Sequence, residues 1–505
     1  MIEPLAIVGP PGTGKTHTLI EVVRQRLKEG VPPNKIAFLS FSKKAAEEAR
    51  SRAIDELSID SRDLIHFRTL HSLAFRHLSL KRDNVLSSAD YNKLEELLGV
   101  EFRASRGINL SNGEFFRFGA TGDMYLSILN MARTRGVATE EQFNHFNNMH
   151  LDYRQMRIIE TAYQEYKRQT KKIDFVDMIS GFIDSPDCPK FDLLIIDEAQ
   201  DLVPLQWDMV DKLVYNAKET VYAGDDDQAI YEWMGVDPND FIKRCTNKKI
   251  LDKSYRVPRI VHDLSSSLIH RVTDRVDKDW NPTDREGSIS FHYSFDEIDM
   301  SEGEWLILCR TNYIANQIGG KMKDWGLLFW REGAGYSVST RVLTAAQTWT
   351  RLMSGKTVSK SDVEVMLFYI RQDKQERKVY KAWLDGLEEG VTRLDLEKLD
   401  KFGSSLEQDK KWFEVLDVPE RERIYIQSVL RAGERFGSSP RIRLSTIHKA
   451  KGGESENVVL FLDSSRACQT LTDEDCERRV FYVGMTRAKE NLHIVEGSSK
   501  WSFKI

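Results

Sequence analysis

The chain offers almost nothing from which to build a metal cluster or a disulfide framework. Its five cysteines, Cys188, Cys245, Cys309, Cys468 and Cys476, form no C-x-x-C pair and have no companion histidine spacing. Zinc and iron–sulfur chemistry are therefore excluded at this stage, and a reducing compartment is expected. No apolar run approaches the ~18 residues of a membrane span, and no charged leader precedes a long apolar stretch. A cytoplasmic protein with no membrane contact is the expectation. Basic excess is missing as well: the net charge is −5, so any nucleic-acid site must be a local groove of Lys and Arg and not a basic whole surface. No repeat of short fixed period is visible. Apolar content of 41% and charged content of 30% exclude wholesale disorder. Its 505 residues allow about three to four units of about 100–200 residues each.

Against those absences stands one dense feature. Gly9, Pro10, Pro11, Gly12, Thr13, Gly14, Lys15 and Thr16 spell a complete GxxxxGK[ST] loop, between the apolar run Leu5 to Val8 and a helical pattern from Thr18 to Leu27. Glycines at these positions let successive N–H groups close around phosphate oxygens. Lys15 adds a point charge for the outer phosphates, and the Thr16 hydroxyl can ligate Mg2+. The pattern predicts a nucleoside triphosphate site.

Two acidic clusters follow apolar runs in the same manner. Asp197 and Glu198 come directly after Leu193 to Ile196, at the carboxyl end of a predicted strand, where open α/β sheets bind ligands. Asp197 is placed to hold Mg2+, and Glu198 to accept a proton from an attacking water. Gly224-Asp225-Asp226-Asp227-Gln228 follows Thr220 to Ala223, and the Gln228 amide can sense a terminal phosphate. Tyr231 and Trp233 come next and offer flat faces for exposed bases.

The remaining pattern is α/β. Leu5 to Val8, Ile36 to Phe41, Leu193 to Ile196 and Thr220 to Ala223 read as buried parallel strands of one core. A second set reads Lys249 to Asp252, Ser288 to Tyr293, Trp305 to Cys309, Arg443 to Thr446, Val458 to Leu462 and Leu492 to Val495. Residues 79–153 read as a helical insertion in core one (1–78 and 154–246). Residues 335–440, with charged stretches at Lys374 to Lys381 and Leu394 to Phe402, read as a helical insertion in core two (247–334 and 441–505), and Gly437 to Pro440 is the expected return to that core.

Taken in order, these stretches resemble the UvrD/Rep-type DNA helicases of superfamily one. Besides the phosphate loop, the resemblance rests on FLSFSKKAAEEARSR from Phe38, FRTLHSLAF from Phe67, YQEYKRQTKKIDFVD from Tyr163, LLIIDEAQDLVPLQ from Leu193 and AGDDDQAIYEWMG from Ala223. LDKSYR from Leu251, RLSTIHKAKGGESENVVL from Arg443 and RRVFYVGMTRA from Arg478 complete it. It implies two RecA-like motor cores with ATP between them and single-stranded DNA across them. Carried over by position, Tyr255 would stack on adenine, Arg256 and Arg487 would contact the terminal phosphate, and Glu454 would approach the ribose. Phe41, Thr69, His71, Tyr231, Trp233 and His448 would lie along the DNA track. It further implies movement in the 3′ to 5′ direction and action on single strands and duplex–single-strand junctions; whether a protein loading partner exists is left open.

The chain departs from the family pattern in places. Only eight residues precede Gly9, too few for the family's upstream Gln-bearing helix, so weaker discrimination between ATP and GTP is expected. Met234 stands at a usual Arg, and Gly453 at a usual Leu. The chain ends soon after Arg487, as expected of a compact, phage-like version without a distal tail. Two rivals stay open: a motor of the same superfamily with opposite polarity or an RNA track, and a nucleotide-controlled switch or loading ATPase that does not unwind. The Ala229-Ile230-Tyr231 sequence after Gln228 disfavours the first.

Overall fold

A computed structural model describes residues 3–103, 120–146, 151–370, 374–386, 393–395, 399, 410–434, 439–466, 468 and 472–505. The chain divides into two compact units, residues 1–297 with 451–505, and residues 298–450.

In the first unit, six strands form a wholly parallel sheet. They are β1 (Leu5–Val8), β2 (Ile36–Ser40), β3 (Phe67–Thr69), β4 (Phe191–Asp197), β5 (Ala217–Gly224) and β6 (Lys248–Ile250), in the order β3-β2-β4-β5-β1-β6. The central strands are apolar on both faces because helices cover both. Ile7, Phe38, Leu193, Ile195 and Val221 pack with Leu19, Ile20 and Val23 of the helix Lys15–Lys28, and with Ala49 and Ala53 of the helix Lys43–Leu57. One run has a different home from that expected. The stretch read as Lys249 to Asp252 forms β6, which pairs with β1 through Val8 opposite Ile250 and closes the edge of the first sheet. A three-residue strand carries no periodicity that names its partner, and the backbone pairing decides it.

Residues 79–153 contribute the helices Ser88–Leu98, Thr121–Arg135 and Thr139–Asn144. With the helix Tyr153–Thr170 they share an aromatic-rich core of Tyr91, Phe102, Tyr125, Phe143 and Tyr163. The first unit also holds a second parallel group. In it β7 (Ser288–His292) pairs with the strand Ala488–Val495, and that strand pairs with the strand Ser455–Phe461.

The second unit contains β8 (Trp305–Cys309), β9 (Phe329–Arg331) and β10 (Gly335–Tyr336), together with the strand Ile442–Thr446, which runs parallel between β8 and β9; β10 returns antiparallel to β9. Its helices Thr340–Met353, Lys360–Tyr369 and Glu420–Arg431 pack around Trp349, Met366, Trp412 and Tyr425. The charged stretch from Lys374 is helical over Lys374–Asp385. Of Leu394 to Phe402, residues 396–398 and 400–402 lie outside the described residues, as do Gly437 and Ser438 of the return turn. Among the described residues no helix is long and apolar enough to cross a membrane. The α/β class with parallel sheets matches the expectation of two RecA-like cores.

Candidate active site

Because every strand of the first sheet runs the same way, the ends of β1, β4 and β5 open on one side. Three chemistry-bearing loops leave from there.

The loop after β1 is tied to β5 by Gly9 N–H donating to Gly224 O at 3.0 Å. Gly12 has φ +73°, and a Cβ there would lie 2.4 Å from the Arg256 Cβ; only glycine meets both conditions. The Lys15 Nζ donates to Gly9 O at 2.7 Å, folding its stem across the loop. Thr13 Oγ1 donates to Pro10 O at 2.8 Å. The segment Lys253 to Arg256 clasps the same loop, with Ser254 Oγ donating to Pro11 O and Tyr255 N–H to Gly12 O, both at 2.8 Å. Tyr255 leaves its ring exposed.

Asp197 ends β4 and is buried. Glu198 sits at φ +53°, a left-handed backbone that a side chain other than glycine adopts only where its surroundings impose it, commonly at functional sites. Its N–H donates to Asp197 Oδ1 at 3.0 Å, and Gln200 Nε2 donates to its Oε2 at 2.7 Å. Burial, and then the Glu198 charge, push the Asp197 carboxyl up to about 7. Burial also opposes the Glu198 charge, but Lys451 and Lys15, with Arg487 beyond them, hold it below the usual range. At neutral pH Glu198 is therefore the settled anion of the pair. Its carboxylate can take a proton from water, and the oxygen-only set of Asp197 and Thr16 fits a hard divalent cation.

After β5, Gln228 Nε2 donates to Asp225 Oδ2 at 2.6 Å. The Gln228 Oε1 accepts from Arg487 Nη2 at 2.9 Å, although the two residues are 259 positions apart. Arg487 is almost wholly buried. Its guanidinium donates only to neutral acceptors among the described residues: Gln228 Oε1, Val483 O at 2.8 Å and, marginally, Gly453 O at 3.5 Å. Burial, with the Arg256 charge adding, pulls it down to about 9. Arg256 Nε meets Glu454 Oε2 at 2.6 Å, and Lys489 Nζ meets Glu454 Oε1 at 2.6 Å.

The aromatic residues of the expected DNA track form one cluster. Phe41 and Tyr231 ring centroids lie 5.5 Å apart, and Tyr231 and Trp233 centroids 6.4 Å. Tyr231 is buried, whereas Trp233 is half-buried. Thr69 caps the helix Leu70–His77 by accepting from Ser72 N–H at 3.2 Å. His71 packs edge-on to Phe175, and burial lowers its ring to about 4. His448 belongs to the second unit, just beyond the strand Ile442–Thr446.

Sequence reasoning missed Lys451. Its Nζ donates to Asp201 Oδ1 and Oδ2 at 2.7 and 2.6 Å and to Gln228 O at 2.7 Å; it also lies 3.8 Å from Glu198 Oε2 and 5.3 Å over the Tyr231 ring. Its only signal in the sequence is membership of the stretch Arg443 to Leu460.

Comparisons with known proteins point to one family. The UvrD/REP helicase N-terminal domain matches residues 2–248, and the UvrD-like helicase C-terminal domain matches residues 441–495. An ATP-dependent DNA helicase PcrA of Leuconostoc citreum is 26% identical over 344 residues, 61% of this chain and 45% of that protein. PcrA of Staphylococcus aureus (strain Mu50) is 23% identical over 392 residues, and PcrA of Staphylococcus epidermidis 23% over 390, each covering 73% of this chain and 51% of the relative. The chain spans about half the length of the curated relatives it matches.

Proposed function

The chain belongs to the UvrD/REP family of superfamily-one helicases, and from that premise we propose that it is a cytoplasmic ATP-dependent translocase on single-stranded DNA, moving 3′ to 5′ and separating strands at duplex–single-strand junctions. The observation that carries the reading is the buried Arg487 guanidinium, 2.9 Å from Gln228 Oε1 and, among the described residues, hydrogen-bonded to neutral acceptors only. Glu198 and Glu454 act on Arg487 only through their charge; a buried cation with no carboxylate hydrogen-bonded to it is costly unless an anion completes its site, and a terminal phosphate beside Glu198 is such an anion.

In this reading residues 1–78 and 154–246 form core one and residues 247–334 and 441–505 core two, with insertions at 79–153 and 335–440. Residues Gly9 to Thr16 cradle the phosphates of ATP. Lys15 leaves the Gly9 carbonyl for the outer phosphates, and Arg256 and Arg487 neutralise charge that develops as the terminal bond breaks. Glu198 orients the attacking water and accepts its proton. Thr16 and Asp197 would hold Mg2+, which supplies charge stabilisation at the phosphate oxygens. Tyr255 covers the adenine, and Glu454 lies near the ribose. Phe41, Thr69, His71, Tyr231 and Trp233 line the DNA path, with Trp233 the most available aromatic face of the cluster; His448, of the second unit, is assigned to DNA contact by resemblance alone. The polarity and the partners rest on family resemblance.

Strand displacement tests the proposal on duplexes carrying only a 3′ or only a 5′ single-stranded tail. The expected result is ATP-dependent unwinding of the 3′-tailed substrate alone. Preference for the 5′ tail would favour the opposite-polarity rival. Hydrolysis that ignores DNA, with no displacement, would favour a nucleotide-controlled switch.

A further inference from the structure

Beneath Gln228 lies a charge cluster that the proposed chemistry does not use. Asp225, Asp226 and Asp227 are wholly buried, and so is the side chain of Lys278. The Lys278 Nζ lies 3.2 Å from Asp225 Oδ1, 2.6 Å from Asp226 Oδ1 and 2.9 Å from Asp227 Oδ2, so its three N–H donors are matched by three carboxylates. Arg275 grips Asp227 with both arms, Nε to Oδ1 at 3.1 Å and Nη2 to Oδ2 at 2.7 Å. The Val276 N–H donates to Asp226 Oδ2 at 2.8 Å. Two cations thus face three carboxylates. The oxygen of Asp225 that Lys278 leaves free, Oδ2, accepts from Gln228 Nε2 at 2.6 Å.

That contact decides which way the Gln228 amide faces. A carboxylate only accepts and a guanidinium only donates, so with Asp225 on one side and Arg487 on the other the amide has a single satisfied orientation. The Asp225 N–H also donates to Gln200 Oε1 at 3.1 Å, and Gln200 Nε2 donates to Glu198 Oε2 at 2.7 Å. One buried carboxylate residue is therefore linked to both the water-orienting acid and the phosphate-sensing amide. We propose that Lys278 is a positioning residue for ATP hydrolysis: by gathering the three aspartates it fixes Asp225, and through Asp225 the orientation of Gln228 toward Arg487. This rests on the ATPase reading above.

The test is a double-mutant cycle on single-strand-stimulated hydrolysis by the full chain. Lys278→Met combined with Asp226→Asn removes one charge of each sign and keeps the local balance. Its kcat is expected to fall ~10-fold or more, while KM for ATP and affinity for a labelled oligonucleotide change less than ~3-fold. Introduced into Gln228→Ala, the same pair costs less than ~2-fold further, because the group it acts through is already gone. Asp225→Asn is an isosteric second arm that removes no cation, and it shows the same loss of effect in the Gln228→Ala background. Losses that add fully to that of Gln228→Ala in either arm, or unchanged kcat in the folded pair, overturn the proposal. Wild-type protein that fails to hydrolyse ATP would instead overturn the ATPase reading.

Discussion

At the scale of single residues, the site separates ions by environment. Asp197 and Glu198 are chain neighbours, yet burial and its partner's charge push the first up to about 7 while Lys451 and Lys15 hold the second down. Because Asp197 has a raised folded value, its stability contribution is complete below the unfolded pKa near ~3.9 and is lost as pH rises through about 7. Asp197→Asn should therefore raise the nucleotide-free melting temperature increasingly from pH 4 to 7 and by a constant amount above, while abolishing hydrolysis. Thermal melts across that range check it; a gain independent of pH would contradict the shift. For the cations, Lys15→Ala should abolish turnover, and Arg487→Ala should cut kcat by about 10³ or more with ATP binding largely kept. Retained turnover in Arg487→Ala would remove it from the site.

At the scale of elements, the strand ends that carry the site were legible because buried parallel strands read as unbroken apolar runs: β1, β4 and β5 match Leu5 to Val8, Leu193 to Ile196 and Thr220 to Ala223 within a few residues. The three-residue β3 and the partner of β6 were not legible, since so short a strand is defined by its pairing. Lys278 and Arg275 were missed for a related reason. A charged loop reads as solvated, and only tertiary packing buries it against Asp225 to Asp227.

The stretch from Tyr163 has a structural use that the motif did not disclose. Asp174 caps the helix Phe175–Asp184 by accepting from Asp177 N–H at 2.8 Å, and it also receives Lys167 at 2.8 Å, Arg133 at 2.6 Å and Tyr163 OH at 3.0 Å. It thereby fastens the helix Thr121–Arg135 to its neighbours. Asp174→Ala leaves two cations without that carboxylate and should cost about 3–5 kcal/mol, read as the change in unfolding free energy from denaturant titration. A loss below about 1 kcal/mol would show that Asp177 alone compensates.

At the scale of the whole molecule, a net charge of −5 means that the DNA binding proposed for this UvrD/REP family chain would fall to local groups. The phosphate loop, Glu198, Gln228, Arg256 and Arg487 come from segments at both ends of the chain, and the first unit gathers them on one side of a parallel sheet. Lys451 spans the interval between the acids and the Tyr231 ring, so the aromatic cluster and Glu198 share a physical link. The most direct measurement is steady-state ATP hydrolysis by the full chain with and without single-stranded DNA. Turnover that rises at least about tenfold with DNA, and vanishes in Lys15→Ala, is the result predicted. Turnover that is the same with and without DNA, or that survives loss of Lys15, would contradict the account.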